Sequence, residues 1–461
     1  MKKLFYILGL SMAVASCSTL DQAPSTQIPT GQIVTVSDLE TAINGVYYRA
    51  GAGTQGTLAS EVAIYADLKG SDVKQIGTSS QIASRVAKHQ ITPSDSYNFY
   101  YYPYVAIANI NAALESVPNI DENEDGLETC VAELYALRGW LHFELARMFS
   151  PIPTSGNTNT NMGIVIADHV FGIDDYAPRA TLDQTYQQIV DDLTKAIEME
   201  DVYFMYDWYD GHMNHWAALG MRARAYLYWG KYAEALADCE EIINNSPFAL
   251  YTIDNYTKVW SQTGADEMLF EMLQTDDYNA QRYAPGYYMN PNGYAECAMT
   301  DEFVAFLQED ENDVRGQMVA NMSSSSGANT GYYPLKYPGN AGSSAPMYAN
   351  NIKLMRLSEI YLIAAEAALK SGNGDPAAYI NELRANRIED YTDVASVTLE
   401  DILNERRKEL FGENHMAFDG WRNGQTVKGV APTDYQTVTP IPTDEINIAG
   451  GVLVQFPGWG R

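Results

Sequence analysis

Apolar side chains recur every three or four positions over several long stretches of this chain, a period that predicts helices packed on one side. Over residues 133–149 the stripe runs through Leu134, Leu137, Leu141, Leu145 and Met148, with Arg138, Glu144 and Arg147 off it. Thr181 and Gln184 have the spacing of a capping box and open a second helix through Ile189, Leu193 and Ile197. The same period predicts helices over 37–49, 102–116, 215–244, 352–370, 376–387 and 399–411, with a short one at 302–308.

Two of these regions share a finer pattern. Ala223, Tyr226, Gly230, Tyr232, Ala235 and Pro247 fit the tetratricopeptide positions for small helix-contact residues, an aromatic, a turn glycine and a closing proline. The spacing from Ala223 to Gly230 to Ala235 recurs from Ala365 to Gly372 to Ala377, and a weaker version spans 133–153, ending in Pro151-Ile152-Pro153. Small residues there let two antiparallel helices approach closely, so each unit is a hairpin that must stack on a neighbour. The fold class expected is therefore all-α dominated, with tetratricopeptide-like hairpins. Residues 274–350 break the pattern: apart from 302–308 they show little period, and they hold nine tyrosines among many glycines and serines. A loop-rich insertion on a rigid helical frame is where recognition usually sits.

The N-terminus reads as an address. Lys2 and Lys3 precede an apolar run from Leu4 to Val14, too short to span a bilayer, and Val14-Ala15-Ser16-Cys17 resembles the lipobox of bacterial lipoproteins. That resemblance implies removal of residues 1–16 and lipid attachment to Cys17, which anchors the chain to a membrane. Residues 17–35 then form a tether rich in Ser, Thr, Gln and Pro, and 36–461 a single folded domain. After processing, 27 basic face 59 acidic side chains, a net charge of about −32, which opposes nucleic-acid binding. Cys130, Cys239 and Cys297 are too few and too far apart for a disulfide framework or a zinc site.

An ordered series of motifs in the C-terminal third points to a family. It comprises Lys353 to Ala367 (KLMRLSEIYLIAAEA), Tyr379 to Arg384 (YINELR), Ile402 to Glu413 (ILNERRKELFGE), Phe418 to Arg422 (FDGWR) and Pro440 to Ile446 (PIPTDEI). This series resembles the SusD/RagB signature, and the segments 104–111, 138–153 and 181–198 are similar to the same family in the N-terminal half. Two departures are modest: Gly420-Trp421 interrupts a more usual Asp-Leu-Arg run, and the ending from Gln455 to Trp459 replaces Asn-Pro-Gly. The resemblance implies a non-enzymatic lipoprotein of the outer membrane, facing the cell exterior, that captures oligosaccharides for a SusC-type TonB-dependent β-barrel transporter. Some relatives take peptides, so a peptide-binding subunit of such a transporter is the alternative, and a pure protein-docking scaffold a third reading.

Tyrosine outnumbers phenylalanine 33 to 13, although phenylalanine buries without a hydroxyl to satisfy. A tyrosine ring offers a pyranose a flat apolar face with a polar tip and few rotors to freeze. The stacking candidates are Tyr97, Tyr100 and Tyr101, before the 102–116 helix, with Tyr287, Tyr288 and Tyr294 in the insertion. Asp72, Arg85 and Asn98 are the hydrogen-bonding candidates. No catalytic group and no cofactor is expected. Asp121, Asn123 and Asp125 copy the start of a calcium loop, but its twelfth position is Ala132 in place of the bidentate Glu, so a solvated acidic turn is the favoured reading and calcium the weaker one. His212 and His215 lack the acidic residue of a zinc-hydrolase motif. Arg406, Arg407 and Lys408, beside Glu405 and Glu409, are read as structural ion pairs on or between helices.

Overall fold

The computed structural model describes residues 30–53, 55–77, 82–95, 97–199 and 211–460; the leader, Cys17 and most of the tether lie outside them. Eight helices carry the frame: α1 (Val36–Gly51), α2 (Tyr101–Ser116), α3 (Leu127–Phe149), α4 (Leu182–Glu198), α5 (His215–Trp229), α6 (Tyr232–Asn245), α7 (Leu357–Ser371) and α8 (Pro376–Ala385). Each of α3 to α8 packs on its neighbour in chain order, while α1 and α2 pack on one another and on α3. The expected stripe residues Leu134, Leu137, Leu141, Leu145 and Met148 are all interior. The capping box also forms as expected: Thr181 Oγ1 accepts from the Gln184 backbone at 3.1 Å and Gln184 Oε1 accepts from the Thr181 backbone at 3.0 Å.

The run expected over 215–244 divides into α5 and α6 at Gly230, and α7 turns into α8 after Gly372, the two hairpins that the repeat spacing required. Gly230 and Gly372 hold φ of +82° and +73°, a left-handed conformation that costs an L-residue about 1–2 kcal/mol. A Cβ added at Gly372 would meet nothing within 4 Å. Gly372→Ala should therefore lower the free energy of urea unfolding by about 1 kcal/mol with the fold intact, and an unchanged midpoint would show that the turn is not conformationally demanding.

One expectation is corrected. Residues 352–370 are not one helix: they open with a strand, Ile352–Arg356, antiparallel to Met268–Met272, before α7 begins. Both faces of that strand are largely buried, so its apolar residues carry no alternation to distinguish it from a helix. The insertion is loop-rich as expected and carries a few short strands. Ala298–Met299, Val319–Ser323 and Thr330–Pro334, joined by Val73–Lys74, form a four-stranded antiparallel sheet that ties the insertion to the N-terminal half.

Helix α9 (Leu399–Glu409) and the segment after it carry the charged motif of the C-terminal third, whose basic residues bond to other elements. Arg406 donates to Asp419 at 2.8 Å, Arg407 grips Asp72, and Lys408 reaches Glu309 at 2.8 Å. Glu409 sits against three buried guanidinium groups: Arg356 at 3.0 Å, Arg387 at 3.0 Å and Arg315 at 3.3 Å. Glu267, Glu405, Glu413 and Asp313 complete this interior lattice. Cys130, Cys239 and Cys297 are buried free thiols.

Candidate ligand surface

The insertion builds a group of tyrosine faces on a short helical turn, Pro285–Tyr288, that Pro285 starts. The Tyr287 ring lies 4.8 Å from Tyr294, edge to face at 86°, and 5.5 Å from Tyr348 at a tilt of 32°. All three rings are half-buried, so each is gripped by neighbours and still reaches solvent. Such offset and edge-on pairs add about 0.5–1.5 kcal/mol beyond burial and hold the rings in fixed planes. Glycines permit the arrangement: a Cβ on Gly293 would stand 2.1 Å from Tyr287 O, and one on Gly77 2.2 Å from Tyr294 O. Burial, with the Tyr283 and Tyr287 phenols nearby, raises the Tyr294 pKa above the ordinary phenol value.

Tyr288 supports this surface from the interior. It is fully buried, 5.4 Å from the Tyr294 ring, and its hydroxyl donates to Glu61 Oε2 at 3.4 Å. Glu61 follows Ser60, whose Oγ accepts from Gly56 N at 3.1 Å, and Gly56 packs so tightly on Asn98 that an added Cβ would approach Asn98 Cβ to 2.9 Å. The half-buried Asn98 thereby adjoins the loop that carries Glu61 beneath Tyr288. Of the residues expected to bind ligand, Tyr287 and Tyr294 are brought together here, while Asn98 packs on Gly56.

Burial of Glu61 pushes its pKa up to about 8, against backbone and Ser60 hydrogen bonds that lower it. Between the unfolded value near 4.5 and the folded value near 8 the native state binds more protons than the unfolded chain, so Glu61 makes stability fall as pH rises through that window. Glu61→Gln should remove this contribution, leaving a variant whose stability relative to the unsubstituted chain improves from pH 5 to pH 8. Parallel unfolding curves at the two pH values measure it; an equal difference at both would place the Glu61 pKa in the ordinary range.

The dense cluster before α2 divides. Tyr97 is buried, with its hydroxyl donating to Pro440 O and its ring 5.1 Å from Phe99, so it fills a gap between segments distant in sequence. Tyr100 is buried against Phe149 at 5.1 Å and Tyr104 at 4.7 Å, whereas Tyr101 is 51% exposed. Both Tyr100 and Tyr101 line an open groove of about 670 Å³ between α2, residues 165–177 and residues 445–453, together with Tyr104, Phe171 and Tyr176.

Asp72 and Arg85 are engaged within the fold. Asp72 is buried and accepts a two-pronged contact from Arg407, and Arg85 pairs with Asp95, which also caps Thr92 N at 2.7 Å. A charge that finds an opposite partner in its own chain is no longer held out to a ligand; Arg85 finds its partner ten positions on, whereas that of Asp72 is 335 positions away, where no local pattern reveals it. Asp121 Oδ1 accepts from the Asn123 backbone at 3.0 Å, and Glu124 of the same turn accepts from Val36 N at 2.9 Å, clasping the start of α1. Among the described residues no three His, Cys, Asp or Glu side chains converge as a metal cluster. His212 Nδ1 lies 2.8 Å from Glu133. Sequence reasoning missed Tyr348, Phe171 and Tyr176 as partners; the only available signal for the last two was the ring-bearing aperiodic stretch from His169 to Tyr176.

A stack of helical hairpins with a loop-built insertion that holds tyrosine faces in fixed planes defines a binding protein on a tetratricopeptide-type frame. Residues 20–227 match the family described as starch-binding associating with outer membrane, and residues 245–438 match the SusD family. The chain belongs to the SusD family. It is similar to the SusD-like protein P2 of Formosa agariphila, 23% identical over 417 residues that cover 81% of this chain and 79% of that protein. A SusD superfamily protein of Bacteroides thetaiotaomicron superposes with a TM-score of 0.84 at 26% identity, covering 92% of this chain and 100% of that one. The surface glycan-binding protein A of Bacteroides thetaiotaomicron, solved in complex with laminarihexaose, shares the fold with a TM-score of 0.73 at 20% identity, over 91% of this chain and 99% of that one. No helix among the described residues is long and apolar enough to cross a membrane.

Proposed function

We propose that this chain is a lipid-anchored glycan-capture protein of the outer membrane, which holds oligosaccharides at the cell surface and passes them to a SusC-type TonB-dependent transporter. The observation that carries the reading is the Tyr287, Tyr294 and Tyr348 group: three rings fixed by edge-on and tilted contacts and half-exposed. A pyranose presents a C–H face to such rings and its hydroxyl rim to their phenol tips. The fold of a relative that holds laminarihexaose supports the same ligand class. Shallow stacking excludes less water than an enclosed pocket, which sets the affinity in the micromolar range or weaker. Titration calorimetry of the lipid-free chain against a panel of neutral oligosaccharides, laminarihexaose included, and short peptides tests it. Heat from at least one saccharide is expected; heat from peptides alone would replace the reading with a peptide-binding subunit of the same kind of transporter.

A further inference from the structure

Tyr101 stands apart from the insertion tyrosines and opens onto the groove beside α2. That groove, of about 670 Å³, shares no lining residue with the Tyr287, Tyr294 and Tyr348 group. Tyr101 is 51% exposed, and Tyr176, which lines the same groove, 44%. Tyr102 steadies the Tyr101 ring from 5.4 Å at 70°, and the half-buried Phe171 is held by His169 at 4.7 Å, edge to face. The small side chains of Ala108 and Ala112 on α2 leave room for a flat ring to enter among these aromatics. Such rings suit the C–H face of a pyranose as those of the insertion do.

Polar groups line the same groove without being spent inside the fold. Asn109 and Glu445, both half-buried, make no side-chain hydrogen bond or ion pair among the described residues. Asp175 accepts from Gly172 N through Oδ2 at 2.8 Å and keeps its other oxygen for a further donor. An amide and two carboxylates around aromatic faces answer sugar hydroxyls, because an O–H donated to a carboxylate makes a charge-assisted bond and a few convergent polar groups fix orientation. Charge narrows the sugar. No lysine or arginine lines the groove, and the two arginines that adjoin it are engaged. Arg138 donates to Asn111 Oδ1 at 2.8 Å and pairs with Asp192 at 2.6 Å. Arg179, beside Tyr100 and Tyr104, donates to Val454 O at 2.9 Å and to Phe149 O and Gly163 O at 2.8 Å, and its remaining Nη2 is sealed from solvent. Its one positive charge stands against Asp175, Asp444 and Glu445, so the mouth is acidic on balance and opposes a sugar that carries carboxylate or sulfate groups.

We infer that the groove beside α2 is a second saccharide site, for neutral sugar units, separate from the insertion and weaker than it. The inference rests on the glycan-capture reading above and adds a second place on the chain where a glycan is held. The site is the weaker one because Tyr101 and Tyr176 are more exposed than the insertion rings and are not packed on one another, so binding must order them. Equilibrium dialysis of the lipid-free chain against labelled neutral hexasaccharides, laminarihexaose included, counts the sites. The unsubstituted chain should bind two saccharides, and Tyr101→Ala/Tyr176→Ala one, with the tighter step unchanged. Both of these rings are exposed, so the variant should fold, which its unfolding midpoint and the retained tight step verify together. Tyr287→Ala/Tyr294→Ala should keep the weaker step, and an oligogalacturonate of the same length should not displace the saccharide bound there. A count of one in the unsubstituted chain, a count of two in the groove variant, or displacement from the weaker step by the oligogalacturonate overturns this inference and leaves glycan capture standing. Loss of both steps on the groove substitutions would mean one continuous site and also contradicts it. Binding of no saccharide by the unsubstituted chain overturns both readings.

Discussion

Glu409→Ala is expected to destabilise the protein by about 3–5 kcal/mol, or to prevent it from folding, because it leaves Arg315, Arg356 and Arg387 buried with one carboxylate fewer among them. Burial alone would raise the Glu409 pKa, but Arg387, Arg356 and Arg315 hold it well below the usual carboxylate range. A folded-state pKa below the unfolded one contributes stability that is present above about pH 4.5 and is lost as the pH falls through the folded value. Glu359 beside Arg224 and Glu366 beside Arg422 are depressed in the same way, so acid unfolding should draw on several such sites together. Urea unfolding of Glu409→Ala at neutral pH checks the magnitude. A loss below about 1 kcal/mol would show that solvent or rearranged partners neutralise the arginines, and that the lattice is not what fixes α9 against the strand at 352–356.

The second large effect falls on binding. Tyr287→Ala combined with Tyr294→Ala should weaken saccharide affinity by about ten-fold, since two stacking rings at roughly 0.5–1.5 kcal/mol each are removed and Tyr348 loses the neighbour that sets its plane. Tyr97→Phe should leave affinity unchanged, because that hydroxyl is spent on Pro440 O in the interior. Calorimetry on the same saccharide separates the two outcomes. Equal affinity in the double variant would remove the insertion from the glycan site.

Much of the frame was legible because its signals are local. The Thr181–Gln184 capping box, the leucine stripe of α3 and the turn glycines Gly230 and Gly372 each depend on residues within a few positions of one another. The strand at 352–356 was not legible, since a segment buried on both faces shows no alternation, and the small sheet of the insertion depends on Val73 meeting Met299 across more than two hundred residues. Site residues divide on the same ground. Tyr287 and Tyr294 could be nominated from the tyrosine-rich insertion, but whether a given tyrosine is offered to solvent or sealed inside is decided by partners such as Pro440 for Tyr97 and Glu61 for Tyr288. Asp72 follows the same logic, answered by Arg407 from 335 positions away.

Ring-labelled tyrosine spectra, recorded while the lipid-free chain is titrated with a saccharide that gives heat, test most directly whether fixed tyrosine faces hold the glycan. Single Tyr→Phe variants supply the assignments. The resonances of Tyr287, Tyr294 and Tyr348 should move together in step with the heat, while those of Tyr97 and Tyr288 stay in place. Saturating heat with all three surface rings unmoved would contradict the account.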